Sequence, residues 1–154
     1  MSLLIRQPRP FLFLLLALVA LASVFGRPDI PIDETRYVSV AWEMWNGGTW
    51  LDFLVPHKNG EPYHHKPPLL FWLINFVWSV TGPSDYAARL VGPLAAIAVL
   101  GLTGLLARRI APAEPGLALR SMAVLGATTG FLLYGGATMF DALLTLWVLL
   151  GIGA

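Results

Sequence analysis

Residues 27–68 read RPDIPIDETRYVSVAWEMWNGGTWLDFLVPHKNGEPYHHKPP, and this stretch decides how the rest of the chain is read. It gathers Asp33, Glu34, Arg36, Tyr37, His57, Lys58, Glu61, Tyr63, His64, His65 and Lys66 into one polar segment, while most of the remaining sequence is oily. Over all 154 residues, hydrophobic types make up 56% and charged types 12%. Soluble domains average about 25% charged, so the composition indicates an all-α, polytopic membrane protein whose helices cross the bilayer several times. The polar stretch is then a loop at the membrane surface, suited to a charged headgroup. A net charge of +1 gives no electrostatic case for nucleic acid. The lack of cysteine excludes disulfides and thiolate metal sites.

Working outward, Arg6 and Arg9 flank an apolar run over about residues 10–26. Basic residues before a first span predict a cytoplasmic N-terminus and an extracytoplasmic loop over about 27–86. Ala20-Leu21-Ala22 also resembles a signal-peptidase site, but the hydrophobic segments further on favour a retained span. Inside the loop, a helix is expected from Glu34 to about Trp45, with Asp33 as N-cap and Gly47-Gly48 as its stop. Residues 33, 36, 37, 40 and 44 share one face at helical spacing. Trp42 and Trp45 suit a helix at headgroup level, and Asn59-Gly60 signals a turn. Residues 69–80 have the length of an interfacial or re-entrant helix rather than a full span, with Asp85, Tyr86 and Arg89 as an interfacial rim; the alternative, a span here, would put the Arg108/Arg109/Arg120 connection outside and Asp141 inside, against the positive-inside rule. Spans are expected over about 87–107, 121–137 and 141–154. Arg108, Arg109 and Arg120 place the intervening connection in the cytoplasm, which returns Asp141 to the side of Asp33. The last apolar run has no polar flank, so the chain reads as the N-terminal part of a longer protein.

The ionisable residues carry two readings each. Asp33 and Glu34 suit the first turn of a helix, or supply a carboxylate for base or metal chemistry at the membrane face. Arg36 and Lys66 are cations fit for a phosphate, one a bidentate fork and the other a point charge; Lys66 equally suits a snorkelling position. Pro67 keeps Lys66 extended. The adjacent His64 and His65 are a weak metal signal. Asp141 opens a hydrophobic run, either as a helix cap or as a functional acid.

The sequence over about residues 30–95 resembles the first extracytoplasmic loop of the aminoarabinose-transferase and protein O-mannosyltransferase-like membrane glycosyltransferases, of GT-C type. The resemblance lies in DETRY at 33–37, Glu43-Met44, Gly48-Thr49-Trp50, NGEPYHHKPPL from Asn59 to Leu69, and Ala87-Ala88-Arg89-Leu90. The later TMFDALLTLWVLLG resembles that family's Asp-bearing segment. The resemblance implies a multi-pass protein of the cell (inner) membrane with an extracytoplasmic active site. It implies a polyprenyl-phosphate sugar donor and a lipid acceptor, such as lipid A, or a protein acceptor. By the same resemblance Asp33 and Asp141 are catalytic, Arg36 and Lys66 bind the phosphate, and Glu34, Tyr37 and Tyr63 line the site. His65 stands where some relatives carry a metal-associated Glu, and imidazole also binds zinc, so a zinc-like divalent metal at His65 is the one cofactor implied. The alternative is a truncated, non-catalytic protein that binds polyprenyl phosphate or a partner. A transporter fragment ranks last, since polar residues at span midplanes are few.

Overall fold

The computed structural model describes residues 8–154; Arg6 and the Arg9 side chain, on which the orientation argument rests, lie outside what it describes. The described chain is helical: α1 (Pro8–Gly26), α2 (Asp33–Gly47), α3 (Trp50–Leu54), α4 (Leu69–Thr81), α5 (Asp85–Ala88), α6 (Val91–Ile110), α7 (Leu117–Gly126), α8 (Thr129–Tyr134) and α9 (Phe140–Gly153). A hairpin of β1 (His57–Lys58) and β2 (Glu61–Pro62) interrupts it. Helix α6 is the centre of one group, packing on α1, α7 and α9. Helix α2 packs on α4 to form the other, and α4 also touches α6.

The apolar bundle follows from composition. The stretch Asp85–Ile110, 26 residues long, is long and apolar enough to cross a membrane. Shorter apolar helices cover Phe13–Gly26, Leu69–Thr81, Leu117–Gly126 and Phe140–Gly153. Close approach within the bundle depends on small residues: a Cβ on Gly92 would run into the Ala137 carbonyl, which is backbone and cannot swing aside. We expect Gly92→Ala to cost about 1–3 kcal/mol, the usual penalty of overpacking, read as a lower thermal midpoint in detergent. An unchanged midpoint would show that the two segments are free to part.

The loop folds for local reasons. Gly48, at φ 66°, ends α2 in the left-handed conformation that favours glycine. Asn59 and Gly60, at φ 55° and 78°, give two successive positive-φ residues, the geometry of a tight hairpin turn. The Glu43 carboxylate accepts from Asn59 N at 2.5 Å and Gly60 N at 3.2 Å, which ties the hairpin tip to α2. Helix α4 has 13 residues, a length of about 20 Å at 1.5 Å per residue, short of the roughly 30 Å hydrocarbon core. It buries Leu70, Phe71, Ile74 and Trp78 against the Val40, Ala41 and Met44 face of α2. Asn75 joins the two helices by donating to the Ala41 carbonyl at 3.1 Å.

Three expectations change. The run 121–137 is not one helix: it breaks after Gly126, where Thr128 caps α8 by accepting from Phe131 N at 3.3 Å. Asp33 is the first residue of α2 rather than its N-cap; Ile32 holds that position without a side-chain cap bond. Arg89 is not part of an exposed rim. It is 3% exposed, pairs with Asp29 at 3.0 Å and donates to the Arg27 carbonyl at 2.6 Å. Tyr86 does lie at the surface, stacked on Phe25 at the end of α1 with centroids 5.7 Å apart.

Candidate functional site

The DETRY motif begins α2, and helical geometry separates its side chains. Successive residues turn by about 100°, so Asp33 stays partly exposed while Glu34 turns inward. Arg36, three residues after Asp33, returns to its face and donates to its carboxylate at 2.5 Å. Tyr37 enters the core beside Arg36, whose guanidinium lies 5.4 Å from the ring centroid.

An aromatic cluster joins this motif to distant parts of the sequence. Tyr37 meets Phe140 edge-on at 5.0 Å, Phe71 meets Phe140 at 5.7 Å, and Tyr63 meets Phe71 at 5.9 Å. Lys66 stands with its ammonium 5.6 Å from the Phe140 centroid. Arg36 and Lys66 therefore flank one cluster, each in cation–π contact with it. Two prolines after Lys66 lead directly into α4, and so the chain leaves this cluster for the interior through Leu70 and Phe71.

Between α2 and the hairpin lies an open cleft of about 250 Å³, lined by Arg36, Lys58, Asn59, Glu61, Pro62, Tyr63 and His65. Tyr63 is 6% exposed, and its hydroxyl is buried without a hydrogen-bond partner, as is the Arg36 Nε. Burial pushes the Tyr63 hydroxyl pKa up, the nearby Arg36 guanidinium only partly opposing this, so the group stays a neutral donor. Buried polar groups are nearly always satisfied, and two orphan donors beside a cation-flanked cleft suit an anionic ligand rich in acceptors.

The predicted residues separate into three places. Asp33, Arg36, Tyr37, Tyr63 and Lys66 come together around the aromatic cluster. Asp141 instead lines a second cavity of about 220 Å³, among Ala96, Val99, Leu125, Tyr134 and Thr145, although its neighbour Phe140 belongs to the first site. Glu34 lines neither cavity. It is 0% exposed and its carboxylate accepts from Arg27 Nη1 at 2.5 Å, Arg27 Nη2 at 2.8 Å, Ile30 N at 2.7 Å and Thr138 N at 2.5 Å. Burial alone would raise its pKa; the Arg27 guanidinium and the Thr138 and Ile30 amides outweigh that and hold it below the usual value.

His65 packs edge-on against Tyr63 at 5.3 Å. Among the described residues, no three His, Asp or Glu side chains gather as a group that could hold a metal ion. Sequence reasoning missed Arg27, Asp29 and Phe140. Arg27 carried a usable signal, since a cation at the expected extracytoplasmic end of a first span runs against the positive-inside tendency and calls for an internal partner. Phe140 offered none, being one aromatic in an apolar run.

Comparison with known proteins gives a consistent result. No family model matches the chain. It is 35% identical over 119 residues to the undecaprenyl phosphate-alpha-4-amino-4-deoxy-L-arabinose arabinosyl transferase of Edwardsiella ictaluri, covering 75% of this chain and 20% of that protein. The Pectobacterium carotovorum protein of the same name is 31% identical over 153 residues, covering 94% of this chain and 25% of its own length. The crystal structure of ArnT from Cupriavidus metallidurans bound to undecaprenyl phosphate superposes with a TM-score of 0.69 at 25% identity, covering 86% of this chain and 24% of that one. The chain thus spans about a quarter or less of the length of the relatives it matches.

Proposed function

We propose that this chain, a relative of the aminoarabinose arabinosyl transferases over most of its own length, forms the donor-phosphate site of a membrane glycosyltransferase. The enzyme moves a sugar from an undecaprenyl- or other polyprenyl-phosphate donor to a lipid or protein acceptor at the extracytoplasmic face of the inner membrane, with the N-terminus in the cytoplasm. One observation carries the reading: Arg36 and Lys66, distant in sequence, flank a single aromatic cluster beside a cleft that holds an unpartnered Tyr63 hydroxyl.

The chemistry follows from these groups. The acceptor hydroxyl attacks the anomeric carbon of the sugar, and the bond from that carbon to the phosphate oxygen breaks. The acceptor's proton passes to the Asp33 carboxylate, and the departing lipid phosphate takes the electron pair of the broken bond, its added negative charge stabilised beside Arg36 and Lys66. The Arg36–Asp33 pair serves both ends, orienting the base while presenting the remaining guanidinium N–H groups to the phosphate. Asp141, in its own cavity, is assigned here as the second catalytic acid from the family resemblance.

Binding of undecaprenyl phosphate to the protein in detergent tests this reading. Lys66→Ala should weaken it about 10-fold or more, the scale of one charge-assisted hydrogen bond. Tyr63→Phe should weaken it about fivefold while leaving the thermal midpoint unchanged or slightly higher, because the hydroxyl it removes is unsatisfied in the free protein. Unaltered affinity in both variants would move the phosphate elsewhere. Binding without transfer in the wild type would favour a non-catalytic lipid-binding protein.

A further inference from the structure

Glu34 and Arg27 bind neither cavity, yet they are the most heavily bonded side chains of the loop. Besides the two bonds of Arg27 to Glu34, one from each terminal nitrogen, its Nη2 donates to the Gly136 carbonyl at 2.7 Å. The Thr138 amide donates to Glu34 at 2.5 Å. Segment 136–138 is therefore held by both an acceptor and a donor, with Ala137 and Thr138 completely buried. The segment packs closely on both sides: a Cβ on Gly92 would run into the Ala137 carbonyl, and one on Gly136 into the Ser23 side chain. Immediately beyond it come Phe140, which touches Tyr37 and Lys66, and Asp141.

The other end of the pair acts on Asp33. The Ile30 amide donates to Glu34 at 2.7 Å, and the Glu34 amide donates back to the Ile30 carbonyl at 3.2 Å. Between them Ile32 is held at φ 75°, ψ −54°. A β-branched residue avoids this region, and such outliers persist only where their surroundings enforce them. The enforced residue directly precedes Asp33.

We infer that the Arg27–Glu34 pair is a positioning latch, which fixes the segment bearing Phe140 and Asp141 against the strained turn that presents Asp33. The inference rests on the transfer reading above, and assigns Glu34 and Arg27 no contact with substrate. The latch sets geometry, and geometry errors near 1 Å cost about 100-fold in rate, whereas affinity for the lipid phosphate depends on Arg36 and Lys66.

The test compares Glu34→Gln with wild type in membranes of cells expressing the protein, and adds the double variant Arg27→Gln/Glu34→Gln, which leaves no unpaired charge should the single variant fold poorly. Three quantities are read: kcat for sugar transfer, affinity for undecaprenyl phosphate, and amide hydrogen exchange across residues 136–141. Expected for whichever variant folds is a fall of about 10- to 100-fold in kcat, affinity within about twofold of wild type, and faster exchange at 136–141 with the α4 core unchanged. A purely structural role would lower kcat and affinity together and loosen α4 as well; that result overturns the latch. Wild-type exchange at 136–141 in both variants overturns it whether or not the wild type turns over. A wild type without transfer overturns the glycosyltransferase reading, and the exchange pattern then decides the latch alone.

Discussion

Asp33→Asn should lower sugar transfer by about 10²–10⁴-fold, the range in which a positioned general base contributes, while the protein still accumulates in the membrane and still binds undecaprenyl phosphate. The asymmetry follows from where Asp33 sits. Its side chain is 38% exposed and is paired only to Arg36 among the described residues, so the fold draws little on it. An exposed ion pair of this kind contributes about 0–1 kcal/mol. Asparagine keeps an oxygen for the Arg36 bond but cannot take up the acceptor's proton. Transfer at a wild-type rate would remove Asp33 from the mechanism. Loss of binding together with transfer would instead make it part of the phosphate site.

Glu34→Ala, one residue along, should differ in costing stability as well as rate. The substitution leaves Arg27 without its partner and the buried Thr138 amide without an acceptor. Breaking one partner of a buried pair costs about 3–5 kcal/mol; because Arg27 keeps 22% exposure, the expected loss is near the lower end, about 3 kcal/mol. Denaturation in detergent, wild type against variant, measures it. The pH dependence has a fixed sign. The carboxyl is held below its ordinary value of 4.5 in the folded protein, so the folded state binds fewer protons there than the unfolded one. The stability it confers is complete above about pH 4.5 and is lost as pH falls through the lowered folded value. The gap between wild type and variant should be constant from about pH 6 to about pH 8, well above the titration of this carboxyl, and should shrink in strong acid. A gap that widened on acidification would mean that Glu34 is protonated in the folded state.

Much of this architecture is legible in the sequence, for reasons that are local. The start of α2 near Asp33, its stop at Gly47-Gly48 and the Asn59-Gly60 turn are written in adjacent residues. The same holds for the short helix after Pro67-Pro68, whose apolar length is too small to span. The motif residues Asp33, Arg36, Tyr37, Tyr63 and Lys66 were found by resemblance, and the fold brings them to one cluster. What stayed hidden depends on partners remote in sequence. Glu34 looks like any acidic residue in a first helical turn, and only its bond to the Thr138 amide, 104 residues away, shows that it faces inward. Arg89 looked interfacial until Asp29 and the Arg27 carbonyl accounted for its burial. The break after Gly126 was masked because hydropathy continues across it, while Thr128 caps a new helix through its own hydroxyl.

The central claim is that the Arg36–Lys66 cluster serves sugar transfer from a polyprenyl phosphate. The most direct measurement is transfer of a radiolabelled sugar from its undecaprenyl-phosphate donor in membranes containing the protein. The account predicts label in an acceptor lipid or protein, suppressed by added undecaprenyl phosphate and lost with Asp33→Asn. No label in any acceptor, across several sugar donors and with undecaprenyl phosphate bound normally, would contradict it.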